Sequence, residues 1–144
     1  MSSTGLPVFD ETIHLTNSWL REIMDELHAD DRQLAYRALR AVLHAVRDRL
    51  DPVMAAHFGA QLPMLVRGFF FEGWHPGATA GAGRHLKDFY AQVAKEMHDT
   101  PNLDPARVTD AVLGVVSQRL PLGTTLKVTD LLPHELRNLW RLTT

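Results

Sequence analysis

The sequence predicts an all-α protein, built as two tandem helical repeats packed as one bundle about a pseudo-two-fold axis. Three observations lead there. Apolar residues recur at three- and four-residue intervals, no stretch alternates with period two for long enough to need a strand, and residues 39–70 match residues 109–140 without a gap.

Phe9, Ile13, Thr16, Leu20, Ile23 and Leu27 draw one stripe, so the first helix is expected from about Phe9 to Leu27. Asp30 or Asp31 is placed to cap a second helix, whose stripe is Tyr36, Leu39, Leu43, Val46 and Leu50. Ala35, Ala38, Ala41 and Ala45 lie beside that stripe and permit close helix approach. Asp51-Pro52 reads as N-cap and first position of a short third helix, stopped by Gly59. Pro63 opens a fourth, through about Glu72.

Residues 75–83, HPGATAGAG, offer nothing to bury and are expected to be a flexible linker between a first repeat over 1–74 and a second over 84–144. Leu86, Phe89, Tyr90, Val93 and Met97 then mark a fifth helix, and Asp104-Pro105 opens a sixth to about Gln118. Pro121-Leu122-Gly123 predicts a turn and residues 124–130 a short or irregular helix. Pro133 starts the last helix, which carries Leu136, Leu139 and Trp140.

The internal match lays Ala41-Val42-Leu43 on Ala111-Val112-Leu113, Val46 on Val116, Arg49-Leu50 on Arg119-Leu120, Leu62-Pro63 on Leu132-Pro133 and Arg67 on Arg137. That is nine identities in 32 positions, where chance gives roughly two at ordinary residue frequencies. Phe58/Val128, Val66/Leu136, Phe69/Leu139 and Phe70/Trp140 are conservative pairs in the same frame. The reading is a duplication.

Composition bounds the chemistry. A chain of 144 residues, 45% apolar and 22% charged with net charge −2, is one compact domain or two small units sharing a core, and folds without a metal or disulfide. With no Cys, thiol catalysis, cysteine-ligated zinc, iron–sulfur clusters and disulfides are excluded. The start, MSSTGLPVFDE, has neither a basic nor an apolar leader region, and the apolar runs Met64–Val66 and Phe69–Phe71 are far too short to span a bilayer. A cytoplasmic protein without membrane partners is expected, and the near-neutral charge disfavours nucleic acid.

The segments AYRALRAVLHAVRDRLDP, GAQLPMLVRGFFFEGWHP and LPHELRNLW resemble the bacterial family called domain of unknown function 2267 (DUF2267), over about Phe9 to Trp140. The residues that carry the likeness are Arg47, Asp48, Arg49, Gln61, Leu62, Pro63, Arg67, Gly68, Glu72, Gly73 and Trp74. The resemblance implies a small helical bacterial protein without an assigned reaction, in a stress-related setting. Ser117-Gln118 stands where the phrase has Arg-Asp, and the second half has no Glu-Gly-Trp. Special chemistry is therefore expected in the first half.

Catalytic patterns are weak. Glu11/His14 and Glu72/His75 have the Glu-x-x-His spacing of di-metal bundles. At 100° per residue, however, Glu11 and His14 fall roughly 200° and 140° from Phe9, away from the apolar stripe. No histidine pair forms His-x-His or His-x-x-x-His, GATAGAG lacks the Lys of a phosphate loop, and no nucleophile elbow is present. No catalytic residue, metal or cofactor is assigned, which leaves a zinc site assembled from distant histidines as the remaining metal option.

Arg49, Arg119, Arg67 and Arg137 recur at matching places, and a guanidinium with five donors suits closing helix-end carbonyls or pairing with a carboxylate. Capping is preferred over anion binding, with Asp48, Asp51 and Glu72 as the expected partners of Arg67. Arg32, Arg37, Arg40 and Arg47 form a basic flank on the second helix, read as a solvated face paired with Asp25, Glu26 or Asp48. Phe69, Phe70, Phe71 and Trp74 wrap the fourth helix at angles too wide for one stripe. Most of this set is expected in a core between the repeats, with Phe69, Phe71 and Trp74 as candidate contacts for a partner protein or a second copy. The expected function is a non-enzymatic interaction or regulatory module. The alternatives are a nucleic-acid binder on the basic flank, and a small-ligand site or enzyme between the repeats around Arg67 and Glu72.

Overall fold

The computed structural model describes residues 2–77 and 81–140. The central part of the expected linker, residues 78–80, lies outside the described residues, as do Met1 and residues 141–144 of the outer repeat boundaries. Seven α-helices follow in order: α1 (Pro7–Leu27), α2 (Arg32–Arg47), α3 (Pro52–Ala60), α4 (Met64–Phe71), α5 (Leu86–Glu96), α6 (Pro105–Arg119) and α7 (Leu122–Leu131). A 3₁₀ helix spans His134–Leu139. Among the described residues there is no strand, and no helix is long and apolar enough to cross a membrane.

Asp31, Asp51 and Asp104 are the N-caps of α2, α3 and α6, their carboxylates accepting from the backbone N–H of Leu34, Met54 and Ala106. Helix α1 begins at Pro7, two residues before the expected Phe9, because proline's fixed φ suits the first helical position. It ends at His28, whose φ of 52° is left-handed, with the Ala29 N–H returning to the Met24 carbonyl.

Two elements differ from the sequence expectation. The segment expected to be a turn and an irregular helix is the regular α7. The Pro121 carbonyl accepts from Thr124 and Thr125, so the helix starts at once and takes Gly123 into its first turn. The last element is 3₁₀ and not α. Its buried Leu136 and Leu139 stand three residues apart, and three residues per turn put both on the same inward face.

Helix α2 is the centre of the molecule, packing against α1, α4, α5 and α6. Ala35, Ala38, Leu39, Ala41, Val42, Leu43, Ala45 and Val46 are all buried, and the four alanines let neighbouring helices approach closely. One continuous core takes Ile23, Leu39, Phe58 and Phe70 from the first half and Phe89, Val112, Leu136 and Trp140 from the second. The Trp140 ring meets Phe58 edge-on at 5.8 Å, and Phe58 meets Phe70 at 5.4 Å. Aromatic pairs of this kind add about 0.5–1.5 kcal/mol each beyond the area they bury.

Candidate functional site

The apolar stripe of α1 continues two turns beyond the neighbours that could cover it. From Thr16 onward, Trp19, Leu20, Ile23 and Leu27 are buried, whereas Phe9 and Ile13 remain 44% and 37% exposed. Opposite them on α4, Met64 and Leu65 are 47% and 44% exposed. These residues line a trough of about 970 Å³ between α1, the start of α2 and α4, completed by Leu20, Tyr36 and Phe69. The Leu65 N–H donates to Thr12 Oγ1 at 2.9 Å, which fastens the start of α4 to α1 and satisfies a donor that the helix itself cannot.

Gly68 lies in the wall of this trough, and a Cβ placed on it would meet no heavy atom within 4 Å. A glycine inside a helix costs about 1 kcal/mol relative to alanine. The protein's own packing gives no reason for that cost. At Gly59 the reason is plain, since a Cβ there would lie 2.4 Å from the Phe71 ring.

The far end of α4 is held by three side chains of α2. His44 Nε2 lies 2.7 Å from the Phe69 carbonyl, which can only accept, so Nε2 carries the proton. Its Nδ1 is 2.8 Å from Glu96 of α5. Arg47 Nη1 donates to the carbonyls of Phe70 (2.8 Å) and Glu72 (2.9 Å), and its Nε to Asp48. Arg40 pairs with Glu72 and lies 3.6 Å from Glu96. Burial works against the Arg40 charge, but the Glu72 hydrogen bond and the Glu96 and Glu72 charges outweigh it and hold its pKa above the ordinary arginine value. The last carbonyls of a helix have no partner within it, and donors or cations there are favourable. Positions 40, 44 and 47 share a helical face in the sequence, but the spacing of the arginines alone points to a solvated flank, and no pattern in the sequence marks His44.

The basic flank is thus largely neutralised, by the expected Asp48 and by carboxylates that were not expected, Asp99, Glu72 and Glu96. Arg37 pairs with Asp99 at 3.0 Å, Arg40 with glutamates and Arg47 with Asp48, while Arg32 donates to Asn17. Asp25 and Glu26 take no part in these contacts.

Arg67 donates to the carbonyls of Gly59, Ala60 and Leu62 at 3.1, 3.3 and 3.0 Å, at the end of α3, and not to Asp48, Asp51 or Glu72. Carbonyls win because the end of α3 lies directly beneath the guanidinium, while Asp48 and Glu72 are engaged by Arg47 and Arg40. Arg49 donates to Ala45, Gln92 and Ala82, and its guanidinium lies 5.2 Å from the Phe89 ring. Burial pushes its pKa down, opposed by the charges of Asp48 and Asp88. Arg119 reaches Glu22 at 2.7 Å and also Ser18, and Arg137 donates to the Leu132 carbonyl at 3.3 Å. Arg67 and Glu72 do not converge on a shared cavity.

Of the aromatic candidates, Phe69 reaches the trough, 9% exposed and edge-on to Tyr36 at 5.2 Å. Phe71 and Trp74 lie outside the trough lining, half-buried against the core and 5.2 Å from each other. Glu11, His14, Glu72 and His75 are exposed, and no three potential metal ligands gather among the described residues.

A family model described as "Uncharacterized conserved protein (DUF2267)" matches residues 16–139. No curated protein matches the chain.

Proposed function

The chain belongs to the DUF2267 family of uncharacterised conserved proteins, and on that footing we propose that it is a non-enzymatic interaction module whose α1–α2–α4 trough receives the apolar stripe of a helix. One observation carries this reading: two turns of exposed apolar side chains, Phe9, Ile13, Met64 and Leu65, face each other across a wall that contains Gly68. Helix-in-groove recognition needs such an apolar channel, with helical anchors spaced three and four residues apart. From Phe9 to Leu20 the trough follows α1 for about 16 Å at 1.5 Å per residue, which is three turns of a partner helix.

The rest of the molecule serves as its frame. Supporting a duplicated unit, α3 moved seventy positions along the chain would span 122–130, beside α7 at Leu122–Leu131. The matching arginines cap or join elements, Arg67 at the end of α3 and Arg119 between α6 and α1. That use favours scaffolding over chemistry. A nucleic-acid surface on the α2 flank is disfavoured by the carboxylates already paired with Arg37, Arg40 and Arg47.

The test is binding of an apolar fluorescent dye, anilinonaphthalene sulfonate, to dilute protein. The native chain should bind it, and Gly68→Leu, which fills the trough without touching the core, should lose that binding while melting at the same temperature or higher. Equal dye binding by both would remove the trough from the reading.

A further inference from the structure

We infer that the helix received by the trough is α1 of a second copy of this chain, laid antiparallel across a two-fold axis near Ile13. The inference rests on the docking role proposed above and names its partner. Helix α1 carries on its own surface what the trough accepts. Phe9 and Ile13 are exposed along one side of it, with Leu6 exposed at its N-cap, and Phe9 and Ile13 are also part of the trough wall. A patch that is both ligand and receptor suits an isologous contact, in which each copy offers the same residues to the other.

Charge fixes the direction. At 100° per residue from Phe9, Asp10 and Asn17 lie at roughly 100° and 80°, on the same flank of α1. Two antiparallel helices related by a two-fold axis bring like flanks together, so with the axis near Ile13 the partner copy's Asp10 is set beside Asn17. Arg32 already stands there. It donates to Asn17 Oδ1 at 2.8 Å and, among the described residues, has no carboxylate of its own. The Asp10 carboxylate accepts from Ser2 and Thr4, hydrogen bonds that hold its pKa below the ordinary aspartate value and keep it ionised. Two Asp10–Arg32 pairs would close the dimer, one at each end of the trough. A parallel arrangement about a two-fold would set like flanks on opposite sides of the contact, away from each other, and leave both arginines unpaired. Next to Gly68 the second α1 can approach the α4 backbone, as close packing of two helices requires.

Sedimentation over a range of concentrations tests this. The native chain should form a dimer, and Ile13→Asp should leave only monomer. Arg32→Asp, which breaks both pairs at once, should weaken the dimer at least about fivefold, the order of two exposed charge pairs, and adding Asp10→Arg to it should restore the affinity. Anilinonaphthalene sulfonate should bind the dilute native chain and be displaced as the dimer forms. A native chain that stays monomeric at every concentration, or a charge swap that fails to rescue a folded Arg32→Asp variant, overturns the second-copy inference. In that event dye binding still lost in Gly68→Leu leaves the docking role standing, whereas dye binding indifferent to Gly68→Leu brings down both.

Discussion

Helix α4 and the 3₁₀ helix stand seventy positions apart and both follow a Leu-Pro pair, yet they finish differently. At the end of α4, His44 and Arg47 of α2 supply donors to the carbonyls of Phe69, Phe70 and Glu72. The corresponding positions of α6 are Gly114 and Ser117, and Ser117 spends its hydroxyl on the Gly114 carbonyl of its own helix. Arg40, which pairs with Glu72, is matched by the exposed Asp110. Two runs with the same opening landmarks therefore become an eight-residue α-helix and a six-residue 3₁₀ turn. What differs, among the described residues, is the set of donors that the neighbouring helix presents: His44 and Arg47 on α2, Gly114 and Ser117 on α6.

The largest effect that would sharpen this contrast is expected from Arg47, which is 5% exposed. Arg47→Ala leaves two carbonyls and the Asp48 carboxylate short of a donor, and should cost about 3 kcal/mol in urea unfolding. Ser117→Ala, at the matching place, should stay within about 0.5 kcal/mol. Similar losses at both sites would mean that the α4 end is not specially supported.

A smaller difference should separate Arg67 from Arg137. Among the described residues, the first makes three carbonyl bonds at the end of α3 and the second a single long one. Arg67→Ala should lower stability by about 1 kcal/mol, and Arg137→Ala by less than half of that. The same denaturation series reads both, and a larger loss at Arg137 would reverse the assignment.

The smallest effect is a matter of pH. Glu135 of the 3₁₀ helix accepts from the His85 ring at 3.0 Å and the Leu86 N–H at 2.9 Å, and these bonds hold its carboxyl below the ordinary glutamate value. A folded-state value below the unfolded one gives stability that is present above the ordinary carboxylate range and lost as the pH falls through the folded value. Melting temperatures followed downward from pH 6 should show a slope that is reduced in Glu135→Gln. An unchanged slope would mean that the contact contributes nothing to the attachment of the 3₁₀ helix to α5.

Much of the fold was legible along the chain because its determinants are local. Asp31, Asp51 and Asp104 cap helices from within one turn, and the α2 stripe with its four alanines marked the most buried helix. The site was only half legible. The candidates Phe69 and Glu72 line the trough and Phe71 and Trp74 stand elsewhere, while nothing in the sequence marks Phe9, Ile13, Met64 and Leu65 as its wall. Phe9 and Ile13 read as ordinary core because periodicity shows which side of a helix is apolar and not how far along its length a neighbour covers it. Gly68 gave no signal, since a glycine with open space beside it looks the same in sequence as one pressed against a ring, like Gly59.

By itself the sequence determined the all-helical class, the Asp-capped starts of α2, α3 and α6, and most of the inward-facing residues, all of which follow from spacing and capping within a few residues of chain. Only the tertiary structure decided that Arg67 would cap α3 and not meet a carboxylate, that His44 would bind the end of α4, and that the first two turns of α1 would remain uncovered. Those outcomes depend on which surfaces meet across tens of residues. A hydrogen bond or an apolar contact goes to whatever stands within a few ångströms, and proximity of that kind is created by packing.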